Sequence, residues 1–154
     1  MDFDRVLSVL SALEREHVAY KIIGGVAMNF HGLARGTRHL DLFIAPDPEN
    51  VSRLRKALHS VFDDPSIDEI LAEDLVGDYP AIQYVPPVEG FHIDLIARLG
   101  EAFGYEQVRA ERRTFGGVLV LVATRDMLLE MKQDGAPAGS DGCGMAVGAS
   151  ASTR

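Results

Sequence analysis

The stretch that decides the fold is IIGGVAMNFHGLARGTRHLDLFI, residues 22–44. An apolar run ends at the pair Gly24-Gly25, and residues 26–33 then have the composition of a two-turn helix. Residues 39–44 alternate as a strand that places His39, Asp41 and Phe43 on one face. A strand, a glycine turn, a helix and a second strand in this order predict an α/β (α+β) fold.

The glycine pair is a candidate phosphate-binding turn. Without side chains, Gly24 and Gly25 let backbone amides approach a phosphate closely, and the helix behind them presents its positive end. The same pair is also typical of an ordinary turn between a strand and a helix. The pair alone therefore leaves both interpretations open.

Two acids are the candidate metal ligands. Asp41 lies in the second predicted strand and Asp94 in a later one, each between apolar residues. A carboxylate among apolar neighbours is costly unless it has a cation or a hydrogen-bonding partner. On adjacent strands the two acids would hold Mg²⁺, which prefers oxygen ligands. The alternatives are that each acid pairs with an arginine, or that one lies at a solvated strand end.

Three polar residues near the glycine pair are further candidates. Arg35 and Thr37 lie between the helix and the second strand, where a guanidinium can grip a nucleotide phosphate through two hydrogen bonds. An ion pair between Arg35 and a neighbouring acid is the competing interpretation. His31 is a candidate donor to a ligand, although a single helical histidine is more often a structural hydrogen-bond partner.

The rest of the chain alternates helical and strand patterns. Asp47 and Pro48 predict a capped helix that runs to about Phe62, and Thr124 predicts the cap of the last helix. Ser66 is the predicted cap of a short helix. The other predicted elements are a first helix over 2–16, strands over 18–23, 81–85 and 91–96, and a hairpin of 107–113 with 117–122.

Composition limits the class of protein. A chain of 154 residues with 47% apolar and 25% charged residues has room for one globular domain. The single cysteine, Cys143, excludes an internal disulfide framework, and no signal peptide or membrane-spanning run is apparent, so a cytoplasmic protein is expected. A net charge of −8 argues against a long nucleic-acid-binding face.

Taken together, the motifs resemble the nucleotidyltransferase superfamily, in particular small bacterial proteins of the AbiE-toxin kind and related uncharacterised nucleotidyltransferases. The resemblance covers about residues 5–134. It rests on Gly24-Gly25, Ala27-Met28, His31-Gly32, Arg35, Thr37, Leu40-Asp41-Leu42 and Ile93-Asp94-Leu95 in this order.

The resemblance implies a palm built on a mixed β-sheet flanked by helices. It also implies Mg²⁺-dependent transfer of NMP from an NTP to a hydroxyl or phosphate acceptor on RNA, protein or a small molecule. By position, Gly24 and Gly25 would hold the phosphates, Asp41 and Asp94 the metal, and Lys132 the nucleotide. Toxin-type relatives also imply a cognate antitoxin as a partner.

Two departures from the family pattern stand out. The first acid of the metal pair should fall at position 39, where this chain has His39, which suits Mg²⁺ poorly and would serve as a compromised ligand or as a base. This favours a second hypothesis, a catalytically impaired relative that binds a nucleotide or a partner.

The second departure follows residue 134. Residues 135–154 contain five Gly, five Ala and three Ser and no aromatic residue, which predicts a disordered tail after a domain of residues 1–134. A shifted reading frame or a decayed end would account for the change of composition after the matching lysine.

Overall fold

The structure is a computed structural model that describes residues 3–32, 39–76, 81–88, 90–99, 103–133 and 145–148, with only the backbone described for 132–133 and 145–148. Its helices are α1 (Phe3–Arg15), α2 (Gly24–Phe30), α3 (Pro48–Val61) and α4 (Arg125–Gln133). Two 3-10 helices, Pro65–Glu69 and Ala72–Leu75, follow α3, and a third spans Tyr105–Gln107.

Within the described residues, seven strands form the main sheet: β1 (Tyr20–Ile23), β2 (His39–Ile44), β3 (Ala81–Val85), β4 (His92–Ile96), β7 (Ala110–Phe115), β8 (Val118–Ala123) and β9 (Met145–Gly148). Their spatial order is β7-β8-β1-β2-β4-β3-β9. A separate two-stranded sheet pairs β5 (Arg98–Leu99) with β6 (Phe103–Gly104). Parallel and antiparallel pairs both occur in the main sheet, so the predicted mixed α+β class is confirmed.

The centre of the sheet is buried. Leu40, Leu42 and Ile44 of β2 and Ile93 and Leu95 of β4 are fully buried. Near-continuous apolar runs are typical of strands covered on both faces. Helix α1 packs against α3, and α2 packs against α4, β1 and β2. A carboxylate on β2 or β4 therefore lies inside the protein and away from bulk water.

Helix α3 is fixed to the sheet by a buried asparagine. Its cap is as predicted, with Asp47 accepting a hydrogen bond from the Asn50 backbone amide at 3.0 Å. The Asn50 side chain donates to the carbonyl oxygens of Ala19 and Ala45 at 3.0 and 2.8 Å and accepts from the Ala19 amide at 2.6 Å. These bonds join α3 to the start of β1 and the end of β2.

Two local predictions need correction. The short helix after α3 is divided into two 3-10 helices, and the residue that caps the first is Asp64, which accepts from the Ser66 amide, rather than Ser66 itself. The first strand begins at Tyr20 rather than at 18, because the His17 backbone adopts a positive φ of 57° and the chain turns there. The predicted Thr124 cap is confirmed by its bond from the Met127 amide at 3.2 Å.

The tail prediction is wrong for four residues. Met145–Gly148 forms β9, which pairs in parallel with β3, whereas disorder was predicted throughout 135–154. Without β9, the backbone N–H and C=O groups of β3 on that side would be unpaired at the edge of the sheet. An extended segment can form hydrogen bonds with such an edge through its backbone, whatever its side chains are. Composition alone did not reveal this pairing. The remaining residues of 135–154 lie outside the described part of the chain.

Among the residues that the structure describes, no helix has both the length and the apolar character needed to cross a membrane.

Candidate functional site

Asp41 and Asp94 lie side by side at the centre of the sheet. Strands β2 and β4 are parallel neighbours, and their register pairs Asp41 with Asp94 and His39 with His92. Asp41 is 3% exposed and Asp94 1% exposed, which excludes the interpretation of either as an acid at a solvated strand end. Two carboxylates are thus held in the interior, a costly arrangement that structural stability alone does not explain.

The two histidines lie directly over the acids. His39 Nε2 is 3.3 Å from Asp41 Oδ1 and 3.7 Å from Asp94 Oδ2, so these two carboxylate oxygens lie within about 7 Å of each other. His92 Nε2 is 3.5 Å from the same Asp94 oxygen. The two imidazole rings stack, with centroids 4.6 Å apart and planes at 18°. His39 and His92 therefore converge on one carboxylate oxygen.

Burial changes the chemistry of Asp41. Removal from water raises the pKa of this carboxyl to about 6, and the neighbouring Asp94 carboxyl adds to the rise, whereas His39 opposes it. The Oδ1 atom of Asp41 accepts no hydrogen bond from the described residues, and its ion-pair partner is His39. Asp41 is therefore an acid whose protonation changes near neutral pH.

The glycine turn touches the acid pair. The antiparallel register of β1 with β2 sets Ile23 opposite Asp41, so the next residue, Gly24, lies against the Asp41 carboxylate. Gly24 has a φ of +69°, and a Cβ atom there would lie 2.0 Å from Asp41 Oδ2. Only glycine allows both this backbone conformation and this close approach. The predicted phosphate turn and the predicted metal ligand are thus in contact.

The other predicted site residues have mixed outcomes. Gly25 follows Gly24 in the first turn of α2. His31 donates from Nε2 to the Ala123 carbonyl at 2.9 Å, so it is a structural partner that joins α2 to β8. Arg35 and Thr37 lie outside the described residues. Lys132 lies in α4, and its side chain also lies outside the described part.

The sequence motifs did not indicate His92 as a site residue. Its alternation with Asp94 was visible in the sequence, but nothing local indicated that β4 would lie beside β2 in parallel. That pairing sets His92 opposite His39 and turns two unrelated histidines into one cluster. The ligand atoms of His39, His92 and Asp94 lie within 4.8 Å of one another, so these three residues can hold a metal ion.

The donor set does not fit Mg²⁺ well. Mg²⁺ requires oxygen ligands in octahedral geometry, and Asp41 and Asp94 provide carboxylate oxygens. Beside Asp94 Oδ2, however, the nearest further donors are the nitrogens of His39 and His92, at 3.7 and 3.5 Å. A Mg²⁺ ion bound to Asp94 would need oxygen ligands at those positions. Imidazole nitrogen suits zinc and neighbouring transition metals instead.

Two exposed arginines at the start of the β7–β8 hairpin are paired with acids on the surface. Arg109 forms an ion pair with Glu130 at 3.0 Å and Arg112 one with Glu14 at 3.1 Å, and both arginine side chains are more than half exposed. Exposed pairs of this kind are screened by solvent. They do not indicate a nucleic-acid-binding groove.

Comparison with protein-family models, with curated proteins and with solved structures finds no match. The candidate function therefore depends on the residues of the site themselves.

Proposed function

We propose that this protein is a nucleotidyltransferase that moves NMP from an NTP to a hydroxyl or phosphate acceptor. The observation that carries the proposal is the contact of the Gly24 turn with the Asp41–Asp94 pair. Nucleotidyl transfer needs phosphate-binding backbone beside a group that positions or deprotonates the acceptor. Three of the residues that carry the resemblance, Gly24, Asp41 and Asp94, meet at this one place in the sheet.

In this proposal the chain's own residues position the substrates and accept a proton. The acceptor oxygen attacks the α-phosphorus, a new P–O bond forms, and the bond to the leaving pyrophosphate breaks. The acceptor hydroxyl loses its proton to Asp41, whose Oδ1 lies 3.3 Å from His39 Nε2. The raised pKa of Asp41, about 6, suits proton acceptance near neutral pH.

A transfer assay tests the proposal. Each radiolabelled NTP is incubated with the protein, cellular RNA or protein, and either Mg²⁺ or Zn²⁺, and label in the acceptor is measured. Asp41→Asn and Asp94→Asn should each abolish transfer, because both remove a carboxylate of the site.

The matched control is Asp64→Asn. Asp64 is also a buried acid, 4% exposed, but it accepts hydrogen bonds from the Tyr84 hydroxyl and the Ser66 amide rather than facing the site. This variant should keep its transfer activity. Wild-type protein that transfers no label to any acceptor, or an Asp94→Asn variant that remains active, would contradict the proposal.

A second function is favoured by His39. This histidine stands where the resemblance calls for a carboxylate, which suits a protein that binds a nucleotide or a partner without catalysis. Toxin-type relatives would make a cognate antitoxin the partner. Saturable NTP binding, lost in Asp41→Asn, together with no transfer by the wild type would favour this function over catalysis.

A further inference from the structure

We propose that His39, His92 and Asp94 form a binding site for a transition metal of the zinc class, rather than for Mg²⁺. The inference concerns the same site as the proposed function, but it depends only on these side chains and not on nucleotidyl transfer. It rests on three observations: the convergence of the donor atoms, their chemical type and their access to solvent.

The donor atoms already stand at distances suited to one ion. Zinc lies about 2.0–2.1 Å from histidine nitrogen and carboxylate oxygen, so neighbouring ligands of a tetrahedral site are about 3.4 Å apart. The distances from Asp94 Oδ2 to His92 Nε2 and His39 Nε2 are 3.5 and 3.7 Å. The ligand atoms of the three residues all lie within 4.8 Å of one another, so rotation of the imidazole side chains would bring them onto one ion.

The chemical type of the donors selects the metal. Two imidazoles and one carboxylate are typical of zinc and of neighbouring first-row metals, whereas Mg²⁺ prefers oxygen alone. Asp41, 3.3 Å from the same His39 nitrogen, adds a second carboxylate beside the site. A divalent cation would therefore be balanced by two acids in the protein interior, where each acid alone is costly.

The site is open on the histidine side. The side chains of His39 and His92 are 22% and 27% exposed, while those of Asp41 and Asp94 are 4% and 2% exposed. A metal ion can therefore enter past the imidazoles and reach the buried carboxylate. Three protein ligands would leave a fourth position for water or a substrate oxygen, as in catalytic zinc sites.

The test is Zn²⁺ binding by the full chain, without nucleotide. EDTA-treated protein carrying Cys143→Ser, so that the single cysteine cannot bind zinc, competes with a chromogenic chelator for Zn²⁺. We expect one bound Zn²⁺ per chain that excess Mg²⁺ does not displace. His92→Ala should weaken binding on the order of 100-fold, since loss of even an outer partner of a zinc ligand costs about 10–100-fold.

The matched control is His59→Ala. His59 Nε2 also lies against a carboxylate, 2.8 Å from Asp68 Oδ1, but among the described residues this surface pair is part of no group of three metal-ligating side chains. Its loss should leave Zn²⁺ affinity unchanged. Equal affinity in the His92→Ala and His59→Ala variants would overturn the proposal, and so would displacement of Zn²⁺ by comparable concentrations of Mg²⁺.

A second measurement does not depend on the folding of any variant. In wild-type protein labelled with ¹⁵N, Zn²⁺ should shift the ring-nitrogen resonances of His39 and His92 and leave those of His59 in place. No shift at His39 and His92 at saturating Zn²⁺ would refute the site. Because neither experiment contains an NTP, failure of metal binding and failure of transfer are separate results.

Discussion

Replacing Gly24 with alanine should destabilise the protein more than the same replacement at Gly32. Both glycines have a positive φ, +69° and +82°, so alanine pays a similar backbone cost at each position, on the order of 1–2 kcal/mol. Alanine also lowers the conformational entropy of the unfolded chain, which stabilises the folded protein by about 0.4–1 kcal/mol at each position. For Gly32, where a Cβ atom meets nothing within 4 Å, the net loss should be about 1 kcal/mol.

The difference lies in the contact with Asp41. At Gly24 the new Cβ atom would lie 2.0 Å from Oδ2, 2.8 Å from Cγ and 3.0 Å from Cβ of Asp41. Asp41 is 3% exposed, so its side chain cannot swing into solvent and must displace neighbours. Overpacking of this kind adds about 1–3 kcal/mol. The total for Gly24→Ala should therefore be about 2–4 kcal/mol.

Urea denaturation of both single variants measures this difference as a change in the free energy of unfolding. A double variant with Asp41→Ala supplies the control, because it removes the contacts at 2.0 and 2.8 Å and keeps only the one at 3.0 Å. The two substitutions should then couple by about 1–2 kcal/mol. Equal losses at Gly24 and Gly32, or additive effects in the double variant, would refute the close approach of the glycine turn to the acid.

Three further predictions concern stability and metal preference. In EDTA-treated protein, the pKa of Asp41 is raised from 3.8 to about 6, because burial disfavours the charged carboxylate. The folded protein is therefore most stable, with respect to this group, below about pH 4, where Asp41 is protonated, and it loses that stability as the pH rises through 6. Asp41→Asn should therefore raise the free energy of unfolding by about 3 kcal/mol near pH 7.5 and by about 1 kcal/mol near pH 4.5. An effect that does not change with pH would contradict a raised pKa of the buried Asp41 carboxyl. Asn50→Ala should lower the free energy of unfolding, measured in urea, by about 3 kcal/mol, because three side-chain hydrogen bonds to Ala19 and Ala45 are lost. The same substitution should speed hydrogen exchange of the Ala19 amide, which donates to the Asn50 side chain. Unchanged exchange would show that these hydrogen bonds do not hold the start of β1. His39→Asp should weaken Zn²⁺ binding and strengthen Mg²⁺ binding in calorimetric titrations, since a nitrogen ligand is replaced by oxygens; an unchanged preference would show that His39 does not contact the metal.

The sequence predicted those features whose physical cause lies within one short segment, such as a helix start or the face that a strand residue occupies. Asp47 and Pro48 predict the start of α3 because a cap and a first helical proline act within one turn. The alternation of β2 predicts that His39 and Asp41 share a face for the same reason. Predictions failed where a distant partner decided the outcome, as at β9, whose pairing with β3 depends on an open sheet edge.

The sequence by itself predicted an α+β fold with two acids on different strands and a glycine pair between a strand and a helix, and it has His39 where the family resemblance implies a carboxylate. Only the tertiary structure decided what surrounds those acids. The parallel pairing of β2 with β4 brings His92 over Asp94, and the register of β1 with β2 presses Gly24 against Asp41. Strand order and register arise from the packing of the whole sheet, so residues about 50 positions apart became one site that no local pattern contains.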